Sequence, residues 1–428
     1  MNRFIFAAVA SLAGTSAAFA GGLDRSGQSV LAIFDEPNTL SFSLGYVNPN
    51  LKGRDVGAAT GSYDAGDSYT QYSWSYANDL NDRFSYAIIN DQPFGADVFY
   101  RDNPATSNLG GTLADLSSNA VSFIGKYQVN ERFSVFGGVR AERAGGRVAL
   151  NGQAYAQAIS VSSVAQGAGV PFTTLAGALA GDPTAVAAVG GAGNAAALGA
   201  QVNTLATEFL TPGVGGFTGY DVEIEQSWGA GLTLGAAYEI PDILFRLAIT
   251  YHSEVTHEGT ATERFGFNAA GAGTPLPGTL SFQSPQSINI DFQTGVNPKT
   301  LVLASMRWTD WDDFDVIPTR LNADLANIDD SYRWSLGVAR RFTPELVGLA
   351  TLTYEKDGGG ATLSPLGPND GQIGLTVGAR YTSGNLNVSG GLNYTKLGSA
   401  FAGVGGQPVA LFDDSSAVGV GLRVNYKF

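Results

Sequence analysis

The last residues of the chain, Ala417-Val-Gly-Val-Gly-Leu-Arg-Val-Asn-Tyr-Lys-Phe428, alternate between two kinds of side chain. One set is apolar or aromatic and comprises Val418, Val420, Leu422, Val424, Tyr426 and Phe428. The other set is small or polar and comprises Gly419, Gly421, Arg423, Asn425 and Lys427. Alternation over about ten residues is typical of a strand that crosses a membrane in a barrel, with one face on lipid and the other on a lumen. An edge strand of a soluble sandwich is the alternative.

The same alternation recurs along the chain, in the segments 40–46, 121–127, 245–251, 373–381 and 386–394. A period of two residues indicates β-strands. Tyrosine and tryptophan stand near the predicted strand ends, as in the aromatic girdles at the two boundaries of a membrane. In a soluble sandwich these outward aromatic side chains would be exposed to water. The recurrence therefore favours a membrane barrel.

The predicted connections fall into two lengths. Short turns are expected at 78–82, 129–131, 241–243, 297–299, 343–345 and 383–385. Long loops are expected at 48–66, 92–118, 154–216, 258–285, 309–330, 357–369 and 398–416. Short periplasmic turns and long outer loops are typical of bacterial outer-membrane barrels. The sequence therefore predicts an all-β fold, a 14-stranded antiparallel transmembrane β-barrel, provided that 217–239 is one long strand.

The beginning of the chain predicts secretion. Residues 1–20 read as a signal peptide, with Arg3, a short apolar run from Phe4 to Ala13, and the cleavage motif Ala18-Phe19-Ala20. No other run approaches the ~18–20 apolar residues of a membrane-spanning helix, so strands must cross the membrane. We expect a short N-terminal segment at 21–38, a candidate hatch, followed by the barrel at 39–428.

Composition argues against several function classes. The net charge of −14 at pH 7 is a poor balance for a nucleic-acid partner, whose phosphates require cationic side chains. The chain has no cysteine, which excludes disulfides and thiolate metal sites. Loop 309–330 is rich in aspartate but lacks EF-hand spacing, so we interpret it as a solvated acidic loop rather than a Ca²⁺ site. We predict no cofactor, no metal and no catalytic residue.

Several stretches, taken together in their order, resemble one family. They are Ile88-Ile-Asn-Asp-Gln-Pro-Phe-Gly-Ala-Asp97, Gln226–Glu239, Thr250–Val255, Ser305-Met-Arg-Trp-Thr-Asp-Trp-Asp-Asp-Phe314 and Asp329–Arg333. The chain is similar to the FadL/TodX-type outer-membrane transporters of long-chain fatty acids and other hydrophobic compounds. That resemblance implies a fourteen-stranded barrel, an N-terminal hatch, and sideways release of ligand beside a kink in the third strand. Segment 21–38 is shorter than the usual hatch and lacks its Asn-Pro-Ala element, which leaves the plugging of the lumen open.

The motif Pro93-Phe94-Gly95 is the candidate lateral gate. Proline has no backbone N–H and glycine allows unusual backbone angles, so this segment inside a wall would interrupt strand pairing. The alternative is that the third strand ends here and Pro93 begins a loop. The family resemblance favours the kink.

Loop 154–216 is apolar, with Asp182 and Glu208 as its only charged residues. Its segments 175–179 and 195–210 are expected to form short helices. With loop 258–285 it supplies the candidate ligand-binding residues Phe172, Leu175, Leu179, Phe209, Phe265, Phe267 and Phe282. In the resembled family the equivalent loop helps to capture acyl chains. The alternative is a loop that merely covers the mouth of the barrel.

Three lumen-facing arginines, Arg140, Arg246 and Arg307, are candidate contacts for a ligand carboxylate, because a guanidinium binds a carboxylate through two parallel hydrogen bonds. The alternative is pairing with acids of the barrel interior, such as Glu142 and Glu355.

The function predicted from these features is passive uptake of long-chain fatty acids or other hydrophobic compounds across the bacterial outer membrane. The alternatives are a general diffusion porin for small polar solutes and a structural or adhesive surface barrel. Expected partners are outer-membrane lipid, lipopolysaccharide and the hydrophobic ligand, with a monomer favoured.

Overall fold

The computed structural model describes residues 23–213, 216–267, 271–326, 328–359 and 362–428. The predicted signal peptide lies outside these residues. The strands, in chain order, are β1 (Thr39–Asn50), β2 (Lys52–Asp55), β3 (Ser62–Asp64), β4 (Tyr69–Asn81), β5 (Phe84–Asp91), β6 (Gly95–Phe99), β7 (Leu113–Gln128), β8 (Phe133–Leu150), β9 (Tyr220–Ile240), β10 (Phe245–His252), β11 (Val255–Phe265), β12 (Leu276–Ser284), β13 (Ser287–Asn297), β14 (Thr300–Thr309), β15 (Ser331–Arg341), β16 (Leu346–Glu355), β17 (Gln372–Ser383), β18 (Leu386–Leu397), β19 (Ala400–Val404), β20 (Gln407–Phe412) and β21 (Ser416–Lys427).

The large sheet closes into a barrel because β1 pairs antiparallel with both β21 and β4. Three positions of the wall are interrupted strands, made of β5 with β6, β10 with β11, and β12 with β13. With these counted once each, the barrel has 14 strands, as predicted. The long strand β9 is continuous, which confirms the condition on which that count depended.

The outer surface of the wall is apolar, as the terminal strand predicted. Val418, Val420 and Leu422 are each about half exposed, and their neighbours across the sheet follow the same alternation. Outward aromatic residues include Tyr46, Tyr354 and Tyr394. An exposed apolar band of this kind is stable only where lipid covers it.

The predicted short turns are confirmed at one end of the barrel, whereas two predicted long loops are too long. Strands β11 and β12 continue to Phe265 and from Leu276, so loop 258–285 shrinks to 266–275. The predicted loop 92–118 likewise contains β6 and the start of β7. The outer ends of β11 and β12 extend beyond the apolar band, so their sequence no longer alternates even though the hydrogen-bonded ladder continues, and β6 was missed because the bulge at Pro93 interrupts the alternation before it.

The long connections carry their own structure. The apolar loop folds into the helices α1 (Gln153–Ala168), α2 (Phe172–Leu179), α3 (Pro183–Ala188) and α4 (Ala192–Leu210). The predicted helices fall within α2 and α4, whereas α1 and α3 were missed. Strands β2, β3, β19 and β20 form a separate four-stranded sheet. No helix among the described residues is long and apolar enough to span a membrane.

Candidate functional site

The N-terminal segment, residues 23–38, lies inside the barrel. Asp24 and Ile33 are each 1% exposed, and a short 3₁₀ helix spans Leu31–Phe34. The Phe34 ring meets the Phe136 ring of the wall at 5.7 Å between centroids, in edge-to-face geometry. At the far end Lys427 Nζ donates to Glu36 Oε2 at 2.6 Å. These contacts fix the segment across the lumen, which the sequence left open.

Arg307 is the main anchor of this segment. Its Nε donates to Asp24 Oδ2 at 2.6 Å, and its Nη2 donates to Gln28 Oε1 at 3.0 Å. Its Nη1 donates to Asn289 Oδ1 at 2.9 Å. The predicted ligand arginine is therefore occupied by protein groups, and its acidic partner comes from the N-terminal segment rather than from a neighbouring strand.

The other two candidate arginines also have protein partners. Arg246 Nη2 donates to Gln293 Oε1 at 3.1 Å, and its guanidinium lies 4.4 Å above the Phe34 ring. Arg140 is 2% exposed, donates to Ser253 O at 3.1 Å, and lies 3.4 Å from Glu142 Oε2. These contacts resemble the interior pairing that was the alternative to ligand binding. A direct role in binding stays a prediction for both residues.

The third wall strand is interrupted at the predicted gate. Strand β5 ends at Asp91, opposite Ala120, and β6 resumes at Gly95, opposite Ser117. The third strand therefore carries one residue more than its partner β7 over this stretch, which is the geometry of a bulge. Because pairing resumes at Gly95, the motif Pro93–Gly95 lies inside the strand rather than at the start of a loop.

The bulged segment is paired with the N-terminal segment instead of with β4. Arg25 N donates to Pro93 O at 2.8 Å, and Gly95 N donates to Leu23 O at 2.9 Å. Phe94 N donates to the Ser118 hydroxyl of β7 at 2.8 Å. The backbone groups freed by the bulge are thus satisfied from inside the lumen.

This arrangement leaves a seam in the wall. Backbone pairing of β4 with β5 reaches Trp74 opposite Asn90, and the remainder of β4, residues 69–73, pairs with β1 alone. Between this part of β4 and the bulge, a side chain takes the place of a backbone acceptor, because Tyr72 N donates to Gln92 Oε1 at 2.9 Å. The seam is hereafter the gap between residues 69–73 and 92–97.

An apolar pocket borders the seam segment from the lumen. Its volume is about 520 Å³, and its apolar wall consists of Leu23, Phe94, Leu116, Ile224, Phe282, Trp311, Phe314 and Val316. The rings of Phe94, Trp311 and Phe314 meet edge to face, with centroids 5.5 and 5.4 Å apart. The polar side-chain groups of the lining are the hydroxyls of Ser117, Ser118 and Ser284 and the indole N–H of Trp311, and none of the lining residues is charged.

Other cavities around the N-terminal segment have a more polar lining than this pocket, although apolar residues such as Leu44 and Trp74 also contribute. One of about 960 Å³ is lined by serines of β1 and β4 together with Asp91 and Arg423. Another, of about 670 Å³, is lined by Arg25, Arg307 and Arg333. An apolar molecule would therefore enter the smaller pocket in preference to either polar cavity.

The predicted loop residues divide into two groups. Phe282 lines the apolar pocket, and Phe209, Phe265 and Phe267 pack in the same cluster, with adjacent ring centroids 5.8 and 6.0 Å apart. Phe172, Leu175 and Leu179 instead belong to a separate core formed by the helices α1–α4. The structure thus joins only the first group to the pocket.

Sequence reasoning missed the pocket residues of the acidic loop. Trp311 and Phe314 fold inward because aspartates organise the backbone around them. Asp330 accepts hydrogen bonds from Trp308 Nε1 at 2.8 Å and from Trp311 N at 2.9 Å. Asp324 accepts from Val316 N at 2.9 Å. The interpretation of an acidic loop concerned its aspartates and did not identify these two aromatic residues, for which the spacing of aromatic residues at 308, 311 and 314 was the available signal.

The chain is similar in sequence and in fold to known outer-membrane transport proteins. Residues 10–428 match the family model described as outer membrane protein transport protein (OMPP1/FadL/TodX). A Pseudomonas aeruginosa FadL homologue is similar with TM-score 0.66 and 14% identity, covering 97% of this chain and 98% of that chain. The P. putida toluene transporter TodX gives 0.57 and 16%, covering 92% and 90%. The CymD monoaromatic hydrocarbon channel gives 0.56 and 16%, covering 97% and 96%. No curated protein sequence matches the chain.

Proposed function

We propose that this chain, which belongs to the FadL/TodX family of outer-membrane transport proteins, takes a hydrophobic compound into the apolar pocket and releases it sideways through the seam. The observation that carries the proposal is the contact between the two features: Phe94 and Gly95 line the pocket and also form the interrupted strand. Transport is passive, since the compound moves down its own concentration gradient. The N-terminal segment acts as a plug, so the lumen is not an open pore and the compound leaves through the wall.

The physical advantage of such a route is that the apolar surface of the transported compound stays out of contact with water throughout. Exposing one CH₂ group to water costs about 0.8 kcal/mol, so an acyl chain of ordinary length faces a barrier on the order of 10 kcal/mol in the polar layer outside the membrane. The partly buried Phe265 and Phe267 lie in the same apolar cluster as the pocket wall, so they provide the capture surface on the outer side, and the buried Phe209 supports Phe267 from behind.

The lining of the pocket favours an uncharged compound. The ionisable groups behind the pocket already have partners: Glu142 accepts a hydrogen bond from the lining residue Ser284 and lies 3.4 Å from both Arg140 and His257. A ligand carboxylate would find no charged partner in the lining and would lose its hydration, whereas an aromatic hydrocarbon needs only contact with the rings. The structural neighbours TodX and CymD carry names that refer to toluene and to monoaromatic hydrocarbons, which agrees with this choice.

Long-chain fatty acids are the second candidate. Arg140 supports them, because its buried Nε and Nη1 atoms lack a hydrogen-bond partner among the described residues. A carboxylate that reached Arg140 would accept a hydrogen bond from one of these donors. Uptake of labelled toluene and labelled palmitate by cells carrying the protein separates the two candidates. We expect toluene uptake to exceed the background of barrel-free cells, and palmitate uptake alone would favour the second candidate.

Trp311→Ala tests the pocket itself. Trp311 is 1% exposed and touches Phe94 and Phe314, so its loss removes the centre of the aromatic wall. We expect ligand affinity to fall at least tenfold, measured by equilibrium binding in detergent. The matched control is Trp228→Ala, because Trp228 is 62% exposed on the outer surface of the barrel. Equal affinities for both variants would contradict the assignment of the pocket.

The two rival functions make different predictions. A diffusion porin should give steady ion conductance in planar bilayers, whereas we expect low conductance because residues 23–38 cross the lumen. An adhesive barrel should retain its binding partner when the pocket is altered and should transport nothing. Uptake that depends on Trp311 is incompatible with both.

A further inference from the structure

The seam is not empty, because the side chain of Arg25 lies in it. Arg25 belongs to the N-terminal segment, and its guanidinium carbon lies 4.0 Å from the centroid of the Tyr69 ring on β4. On the other side of the seam, its Nη2 donates to Asp97 Oδ2 on β6. Arg25 thus links the two sides of the seam, between the Tyr72–Gln92 hydrogen bond at one end and the backbone bond from Asp67 N to Asp97 O, at 3.0 Å, at the other.

The backbone around Arg25 is built for this position. Its own N–H donates to Pro93 O at 2.8 Å, so the residue is fixed on the bulge. A Cβ at Gly95 would lie 2.6 Å from the guanidinium carbon of Arg25, which is closer than atoms can approach. Because glycine has no side chain, position 95 leaves the space that the guanidinium occupies. This role differs from the usual one of glycine, which is to allow unusual backbone angles.

The chemistry suits a reversible closure. A guanidinium stacks on an aromatic face and binds a carboxylate at the same time, because its plane and its edge serve different partners. The residue is 8% exposed, so water screens both contacts weakly. Neither contact is covalent or part of a ladder, so both can be broken together when the side chain withdraws into the lumen.

We propose that Arg25 is a latch that holds the seam closed, and that sideways release requires its withdrawal from between Tyr69 and Asp97. The proposal deepens the proposed function and rests on it for the transport consequence. The closure itself is a property of the wall that can be measured without any ligand.

The width of the seam provides that measurement. The natural chain has no cysteine, so Thr70→Cys and Asp115→Cys introduce the only two thiols, both at exposed positions. Thr70 lies on the β4 side of the seam, and Asp115 lies one strand beyond its other side, on β7 opposite Asp97. Spin labels at these positions report the distance across the seam in lipid nanodiscs. We expect one narrow distance in the parent and an additional longer distance in Arg25→Ala. An unchanged distribution in a folded Arg25→Ala protein would overturn the latch.

A neighbouring arginine is the matched control. Arg101 pairs with Asp67 between the same two parts of the chain, but its side chain is 56% exposed and lies beyond the seam. Arg101→Ala should leave the distance distribution unchanged, and an equal widening would mean that any lost ion pair produces the effect. Heat-modifiable gel mobility checks folding. If Arg25→Ala fails to fold, Arg25→Lys is measured instead, and we expect an intermediate population because lysine keeps the charge but loses planar stacking.

Transport then separates the latch from the proposed function. We expect Arg25→Ala to take up labelled toluene several-fold faster than the parent, with Arg101→Ala at the parental rate. A widened seam together with unchanged uptake would overturn the statement that release requires withdrawal of the latch. If the parent takes up neither toluene nor palmitate, the proposed function is contradicted. The spin-label distances would then still test whether Arg25 holds the seam closed.

Discussion

At the scale of single residues, the site is held by charged groups whose partners come from distant parts of the chain. Arg307 on β14 binds Asp24 of the N-terminal segment, a separation of 283 residues. The alternation of β14 predicts that Arg307 faces the lumen, which is confirmed by its burial. The pattern cannot predict which acid meets it, because periodicity reports the face of a residue but not its partner across the lumen. This explains why the sequence identified the arginine and missed its role as an anchor.

Arg307→Ala tests the anchoring role. Removal of Arg307 leaves buried Asp24 with only the longer contact to Arg333 Nη2, at 4.0 Å, and loss of one partner of a buried pair costs roughly 3–5 kcal/mol. We expect faster hydrogen exchange in residues 23–38 and higher ion conductance in planar bilayers. The control is Arg340→Ala, because Arg340 donates to Thr300 at an exposed site outside the lumen. Parental exchange rates in Arg307→Ala would contradict the anchoring role.

Gly95→Ala tests the room made for the latch. The added methyl group would occupy the space of the Arg25 guanidinium, so we expect the spin-label distance across the seam to lengthen as in Arg25→Ala. Gly125→Ala on β7 is the control, because a Cβ there would meet only Gly137 O at an ordinary 3.9 Å. A single narrow distance in Gly95→Ala would show that the guanidinium has another route.

At the scale of elements, strands were easier to predict than their outer extensions and helices. The membrane-spanning part of each strand must be apolar on its lipid-facing side, and this requirement produces the alternation seen at residues such as Leu422 and Val424. Beyond the lipid the constraint ends, so β11 and β12 were read as loop. In α1 and α4, alanine and glycine are abundant, which gives weak periodicity and hides the helix boundaries.

Two fully buried loop residues, Phe209 and Leu175, distinguish capture from helix packing. Phe209 belongs to the cluster that contains the pocket wall, whereas Leu175 belongs to the core of the helices. We expect Phe209→Ala to slow ligand capture in uptake assays. Leu175→Ala should destabilise the helices by about 2–5 kcal/mol, measured by local hydrogen exchange, with uptake retained. The reverse result would assign capture to the helical core.

At the scale of the whole molecule, the proposed transport route combines a lipid-facing wall, the N-terminal segment inside the lumen and an interrupted strand. The barrel follows from the alternation of side chains, and the bulge follows from Pro93 within a strand that continues to Phe99. The pocket could not be predicted in the same way, because Leu23, Phe94, Phe282 and Trp311 come from four separate segments. Only the closed fold brings them together.

Deletion of Pro93 tests the sideways route most directly. The bulge holds one extra residue relative to β7, so this deletion restores regular pairing between Asp91 and Gly95 and allows β6 to pair along β4. Pro93→Ala is the control, because it keeps the extra residue. Uptake of labelled toluene by cells with equal amounts of folded barrel is the measurement. We predict loss of uptake in the deletion variant and retention in Pro93→Ala, whereas parental uptake in a folded deletion variant would contradict release through the wall.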